Sequence, residues 1–220
     1  MLNYEISQNK IIKMFDGYET LYLKFLDEET FRIYSSEHYS YTVLKSKKPF
    51  TNYEINENDG VITFKTSKLS IEFNNGFLLK IYHLGNLMYD GFFEFNAKFE
   101  KEDTSIKEKE GHKTFDSGEY KFLVKSKLFD DDNFYGLGDK TGFLNKKYYQ
   151  FFNYNTDDPS IQLENMPSLY KSINLFYNLK ENGCFAVYLD NTYKSIFNFG
   201  IELNEYLFGS TNGEIDVYFY

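Results

Sequence analysis

Apolar and polar side chains alternate with a period of two through one short segment after another, and turn-forming residues separate those segments. Leu21, Leu23 and Phe25 alternate with Tyr22 and Lys24; beyond Asp27-Glu28-Glu29, Phe31 and Ile33 alternate with Arg32 and Tyr34. Successive side chains of a strand point to opposite faces, so this spacing predicts an early hairpin with one buried face. Asn58-Asp59-Gly60 sets the next turn, between 53–55 and 61–64, because Asp-Gly tolerates the positive φ values of a tight hairpin. Leu69, Ile71 and Phe73 alternate up to a turn at Asn74-Asn75-Gly76. Segment 77–82 reads as the returning strand, and Leu84-Gly85-Asn86 leads into 87–89. Later strands are predicted over 120–124, 147–153, 172–179, 184–190, 195–200 and 214–220. The residue usage points the same way: 24 Phe and 21 Tyr stand against two alanines, Ala97 and Ala186. Aromatic residues favour strands, and the best helix former is almost missing. Many short strands at regular spacing predict an all-β sandwich or barrel.

The 220 residues suit one large β domain or two small ones, with a sizeable core. No internal repeat or Pro-rich linker divides the chain, so one continuous domain over 1–220 is the simplest expectation, least defined over 1–50. The polar run 98–113 reads as a solvated excursion between strands. A formal charge of −9 with Arg32 as the only arginine argues against nucleic acid, where Arg forks and a basic stripe dominate affinity. It argues equally against an anionic membrane surface. The N-terminus has neither a basic n-region nor an apolar core, and no run of about 18 apolar residues occurs, so the expectation is a cytoplasmic protein. The lone Cys184, in the apolar run Cys184-Phe185-Ala186-Val187, reads as a small buried hydrophobe.

His38, His83 and His112 are scattered, with no paired-ligand spacing, so neither a metal nor any other cofactor is expected. Gly136-Leu137-Gly138-Asp139-Lys140-Thr141-Gly142 has the look of a phosphate loop, but Asp139 separates Gly138 from Lys140 and would repel phosphate. A strand ending in a glycine-permitted bend fits better. Asn155-Thr156-Asp157-Asp158-Pro159 is the richest polar cluster, with Phe152 and Tyr154 beside it. Amides and carboxylates of this kind recognise vicinal sugar hydroxyls, often over an aromatic face. The same residues also make an ordinary Asx turn before proline. Asp190-Asn191-Thr192 reads as a turn in which short polar side chains bond their own backbone.

In order and wording, the blocks Phe134-Tyr135-Gly136-Leu137-Gly138-Asp139-Lys140, Asn153-Tyr154-Asn155-Thr156-Asp157, Leu169-Tyr170-Lys171-Ser172-Ile173 and Asp190-Asn191-Thr192-Tyr193-Lys194-Ser195 resemble the N-terminal β-domain of glycoside hydrolase family 31, the α-glucosidase and α-xylosidase family. The family string has Glu where this chain has Asp139. The resemblance covers 134–220 well and 60–90 moderately. It implies a galactose-mutarotase-like antiparallel β-sandwich that precedes a catalytic (β/α)8 barrel. A barrel alone needs about 250 residues, so none fits within this chain. The implied partners are that C-terminal barrel of the same polypeptide and an α-linked oligosaccharide. The implied reaction of the whole enzyme is retaining hydrolysis of a terminal α-linked sugar, with this segment alone inactive. The family's loop over the barrel mouth places an aspartate at the position of Asp157; Asp158, Thr156 and Asn155 are weaker candidates. Family nucleophile and acid/base lie on the barrel, so no catalytic residue is expected here. Adjacent Asp157 and Asp158 cannot easily face one another across a substrate at the roughly 5–5.5 Å a retaining pair needs.

Two rival readings use the same strands. A free-standing carbohydrate-binding module would need an aromatic platform, which Tyr can supply. A mutarotase-like epimerase would need an acid/base pair, typically His and Glu, which the scattered histidines do not favour. Apolar surface meant for the barrel would be left uncovered on this segment alone, which makes a homo-oligomer an expectation as well.

Overall fold

The structure is a computed structural model and describes residues 1–36, 48–98, 118–155, 168–201 and 204–220. The predicted polar excursion falls mostly on 99–117, outside the described residues. Seventeen strands are present among the described residues. The first nine are β1 (Asn3–Ile6), β2 (Ile12–Phe15), β3 (Thr20–Phe25), β4 (Phe31–Tyr34), β5 (Glu54–Asn58), β6 (Val61–Lys65), β7 (Leu69–Asn74), β8 (Leu78–His83) and β9 (Asn86–Lys98). The rest are β10 (Glu119–Lys127), β11 (Asn133–Gly138), β12 (Gln150–Asn153), β13 (Ser172–Lys180), β14 (Gly183–Leu189), β15 (Ser195–Asn198), β16 (Glu205–Ser210) and β17 (Asp216–Phe219). They make two antiparallel sheets of eight and nine strands. A single 3₁₀ turn at Asn75–Phe77 is the one helical element described. The fold class is therefore the expected all-β, built of antiparallel sheets.

The chain groups into two compact units: Met1–Phe93 with Val187–Asp190 and Glu214–Tyr220, and Glu94–Ala186 with Asn191–Gly213. In the first unit β1, β2, β3, β4 and β17 run side by side, and β17 pairs with the Val187–Leu189 end of β14. A second ladder joins β5, β6, β7, β8 and the beginning of β9. The alternation fixes the buried faces: Leu21, Leu23, Phe25 and Ile33 are fully buried from one ladder, and Phe64, Ile71 and Phe73 from the other. Tyr4 meets Phe64 edge-on at 6.0 Å, and Tyr89 meets Phe219 at 5.6 Å.

The outward register of the first ladder holds a buried charge. Arg32 grips Asp216 through two hydrogen bonds, Nε to Oδ1 at 2.6 Å and Nη2 to Oδ2 at 2.8 Å. Its guanidinium lies over the rings of Tyr34 at 4.1 Å and Tyr218 at 5.5 Å. Burial alone would lower the Arg32 pKa; the bonds and charge of Asp216 outweigh it and raise the value.

In the second unit β11 pairs with β13, and β12, β15, β16 and β10 form a continuous antiparallel ladder. Phe176 of β13 is the hub of the core. Its ring centroid lies 5.2 Å from Phe199, 5.5 Å from Phe208, 6.0 Å from Phe134, 6.1 Å from Phe197 and 6.4 Å from Tyr206. Nearby, buried Asp132 accepts from Asn178 Nδ2 at 2.9 Å and from the Phe129 amide at 2.7 Å, and pairs with Lys180. Lys180 also lies over the Phe129 ring and 3.3 Å from Asp131. Burial would raise the Asp131 pKa, but the charge and hydrogen bond of Lys180 hold it below the usual carboxylate value.

The hairpins follow the expected turns. Asp59 and Gly60 adopt φ of 50° and 78° and join Asn58 to Val61. Asp27 Oδ1 accepts from the amides of Glu29 and Thr30 and closes the β3–β4 connection. Five expectations need correction. Strands β1 and β2 occupy the stretch 3–15, and β16 lies where no strand was expected. Strand β9 has 13 residues rather than the short 87–89 run. Strand β12 begins at Gln150 rather than 147, because Tyr148 takes φ of 67° and breaks the extended path. Cys184 is exposed, since it stands just beyond the Glu181–Asn182 hairpin end with its side chain on the solvent face. Its thiol pKa is nevertheless raised by partial burial.

Candidate functional site

The four residues singled out as sugar contacts lie on the connection from β12 to β13. Asn155 is exposed just beyond β12. Thr156, Asp157 and Asp158 lie outside the described residues. What can be built is the stem that carries them. Strand β12 pairs along its length with β15, from Gln150↔Asn198 to Asn153↔Ser195, and all four of its residues are buried. Tyr154 then turns outward, 63% exposed. On the return, Ser168 Oγ donates to the Tyr154 carbonyl and ties the two feet together. Leu169 is buried, and Tyr170 at the second foot is exposed. Both feet thus end in an outward tyrosine.

Behind the stem runs a chain of side-chain amides. Asn153 Nδ2 donates to Asn174 Oδ1 at 2.7 Å, Asn174 Nδ2 donates to the Asn191 carbonyl at 2.7 Å, and Asn191 Nδ2 donates to the Asn212 carbonyl at 3.0 Å. Asn191 Oδ1 accepts from the Tyr193 amide at 2.8 Å and from Ser210 Oγ at 3.1 Å. The expected 190–192 turn is therefore present, and its asparagine does more than cap local backbone. Two buried polar atoms beside the stem, Asn153 Oδ1 and Ser172 Oγ, have no hydrogen-bond partner among the described residues.

The glycine-rich bend is the second wall. At Gly136, φ is 127° and an added Cβ would meet the Leu175 carbonyl at 2.5 Å; at Gly138, φ is 80° and the Lys171 carbonyl would lie at 2.8 Å. These glycines let β11 press backbone to backbone on β13, which is the packing role expected. Beyond them, Lys146 Nζ donates to the carbonyls of Thr141 at 2.9 Å and Phe143 at 2.6 Å, and Tyr149 Oη accepts from the Phe143 amide at 3.3 Å. This internal strut holds Phe143 and Leu144 outward, 74% and 80% exposed. The outer face of β13 is apolar too: Ile173, Tyr177 and Leu179 are each about half exposed, while Phe176, Asn178 and Lys180 between them are buried.

Lys140 sits in this bend with Nζ 3.2 Å from the Asp139 carbonyl. Burial lowers its pKa to about 8, against a partial rise from the Asp139 charge. The unfolded chain therefore holds more protons than the folded one between about 8 and the ordinary lysine value of 10.5. Stability rises with pH across that window. Lys140→Met should stabilise the protein at pH 7 by about 1–2 kcal/mol, after discounting for partial exposure. The gain should shrink above pH 8 and disappear near 10.5, read as urea midpoints of both proteins over that range. A gain that does not change with pH would mean the stabilisation is apolar packing alone.

Among the described residues no group of His, Cys, Asp and Glu side chains gathers to hold a metal ion. Described His83 is instead paired with Glu29 at 2.9 Å. Asn174 and Asn153, the residues that join the loop stem to the rest of the unit, were not singled out from sequence. Their signal is weak: asparagine at an otherwise apolar strand position.

A family model described as the glycosyl hydrolase 31 N-terminal galactose mutarotase-like domain matches residues 20–198. Alpha-glucosidase 2 of Bacillus thermoamyloliquefaciens is 37% identical over 93 residues, covering 42% of this chain and 12% of that protein. Among solved structures, a GH31 dextranase of Flavobacterium johnsoniae complexed with glucose superposes with a TM-score of 0.76 at 24% identity, over 99% of this chain and 25% of that one. A GH31 alpha-xylosidase from a soil metagenome complexed with xylose gives 0.67 at 16%, over 99% and 32%. The chain thus spans a third or less of these relatives.

Proposed function

We infer the function from one premise: the chain belongs to the glycosyl hydrolase 31 N-terminal galactose mutarotase-like domain family. We propose that it is the non-catalytic N-terminal domain of a retaining α-glycosidase, α-glucosidase-like in specificity. In this reading it packs on a (β/α)8 barrel of the same polypeptide and lends the β12–β13 loop to the substrate site. The observation that carries the specificity is the 37% identity to an alpha-glucosidase.

Three features support the division of labour. The buried carboxylates Asp132 and Asp216 are both engaged in ion pairs, which suits structure and leaves them poorly placed as a mobile acid and nucleophile. The outer face of β13 and the braced Phe143–Leu144 tip present apolar and aromatic surface of the kind that interfaces cover. The stem of the loop is buried and hydrogen-bonded, so it can hold a sugar contact steadily. The exposed free thiol of Cys184 suits a reducing compartment, and we place the enzyme in the cytoplasm.

The test is Asp157→Ala in the intact polypeptide. A carboxylate that accepts from sugar hydroxyls beyond the scissile bond contributes through charge-assisted hydrogen bonds of about 1.5–3 kcal/mol. KM for maltose should rise at least about tenfold, while kcat on p-nitrophenyl α-glucoside should hold within about twofold. Equal kinetics on maltose would remove the loop from the substrate site. Absence of any α-glycosidase activity would point instead to a free-standing binding module.

A further inference from the structure

We propose that the chain of amides from Asn153 through Asn174 to Asn191 is a positioning device for the β12–β13 loop, with Asn174 as its central positioning residue. The inference rests on the reading of that loop as a substrate contact. It starts from cost. Polar side chains on the buried side of a strand lose water, and an apolar residue of the same shape would serve packing as well or better. Yet Asn153 is 96% shielded from solvent (4% exposed), and three elements beside it also commit amides or backbone carbonyls. Stability alone does not ask for such a chain. A chain that specifies one arrangement does.

Its geometry has a direction. Asn153 closes β12 at the foot of the loop, and its Nδ2 reaches across to β13. Asn174 passes the constraint to the carbonyl of Asn191. Asn191 is itself pinned by the Tyr193 amide, by Ser210 Oγ and by the Asn212 carbonyl. Asn174 and Asn191 each use both the donor and the acceptor end of one planar group, so rotation at either disturbs its neighbours. The foot of the loop is thereby referred to a turn far away in sequence, and the Ser168–Tyr154 bond fixes the other foot to the first. Among the described residues the bond that orients Asn153 is the one its Nδ2 donates to Asn174.

The experiment pairs two readouts. In this chain, amide hydrogen exchange of Tyr193 is compared between wild type and Asn153→Ala, Asn174→Leu and Asn191→Ala. The Tyr193 amide does not touch Asn153 or Asn174, so a merely local role leaves it unchanged in those two variants; the proposal expects at least about fivefold faster exchange in both. In the intact polypeptide, Asn174→Leu should raise KM for maltose about tenfold, with kcat on p-nitrophenyl α-glucoside within about twofold of wild type. Asn174→Asp keeps the acceptor for Asn153 and loses the donor to Asn191, and should fall between the two. Unchanged Tyr193 exchange overturns the relay whatever the kinetics. Kinetic loss in Asp157→Ala with none in Asn174→Leu overturns its positioning role. Loss in neither, with faster Tyr193 exchange, sinks the substrate-loop reading and leaves the mechanical coupling standing.

Discussion

Phe176→Ala should destabilise the second unit by about 3–5 kcal/mol, the range for removing a large aromatic ring from a packed core. The ring is fully buried and faces Phe134, Phe197, Phe199, Tyr206 and Phe208. Those neighbours come from β11, β15 and β16 and from the residue following β15, so no single element can shift to fill the void. Edge-to-face ring contacts add to the burial term. The adjacent Tyr177 makes the control, because it is 47% exposed on the opposite face of the same strand. Tyr177→Ala should change stability by less than about 0.5–1 kcal/mol. Urea denaturation of both variants checks the pair. Equal midpoints for the two would mean that β13 does not present its faces as described.

Removing the charged anchor of the first unit should cost as much. Arg32→Ala would leave Asp216, fully buried, without its two guanidinium bonds. Stripping one partner from a buried ion pair costs about 3–5 kcal/mol, because the survivor stays desolvated and uncompensated. The loss should extend to the stacking on Tyr34 and Tyr218. Arg32→Lys should recover only part of it, since a single ammonium cannot reproduce the planar fork. Arg32→Met with Asp216→Leu should be milder than either single change. A urea midpoint for Arg32→Ala close to wild type would show that the pair contributes nothing net.

These two residues also mark what a bare sequence does and does not disclose. Period-two alternation makes β3, β4 and β7 legible and the Asp59-Gly60 turn makes β6 legible, because their apolar residues fall on one face and turn residues stand at their ends. Arg32 follows that rhythm on the face opposite Phe31 and Ile33. Its burial depends on Asp216, 184 positions away, and no local pattern encodes that pairing. Strand β1 buries none of its four residues, and in β2 the alternation of Ile12 and Met14 with Lys13 is blurred by the apolar neighbours Ile11 and Phe15, so neither shows a clear period. Strand β16 ends in Phe208-Gly209-Ser210, where the glycine weakens the strand pattern. The backbone carbonyl of Phe122 lies where a Cβ on Gly209 would sit, so close packing explains the residue only once the partner strand is known. The loop residues were legible as chemistry, since Asn155, Thr156, Asp157 and Asp158 are consecutive. The amides that hold its stem are spread over 38 positions between Asn153 and Asn191 and become a set only in the fold.

The loop stem is secured by neutral dipoles, whereas the rest of the chain leans on ions at Arg32, Lys180 and Lys146. Ionic atmospheres weaken attraction between exposed full charges over about 8–10 Å at moderate salt, and acid removes charge from carboxylates. Carboxamides neither titrate nor attract counterions. The tether should therefore grip equally in brine and in dilute buffer.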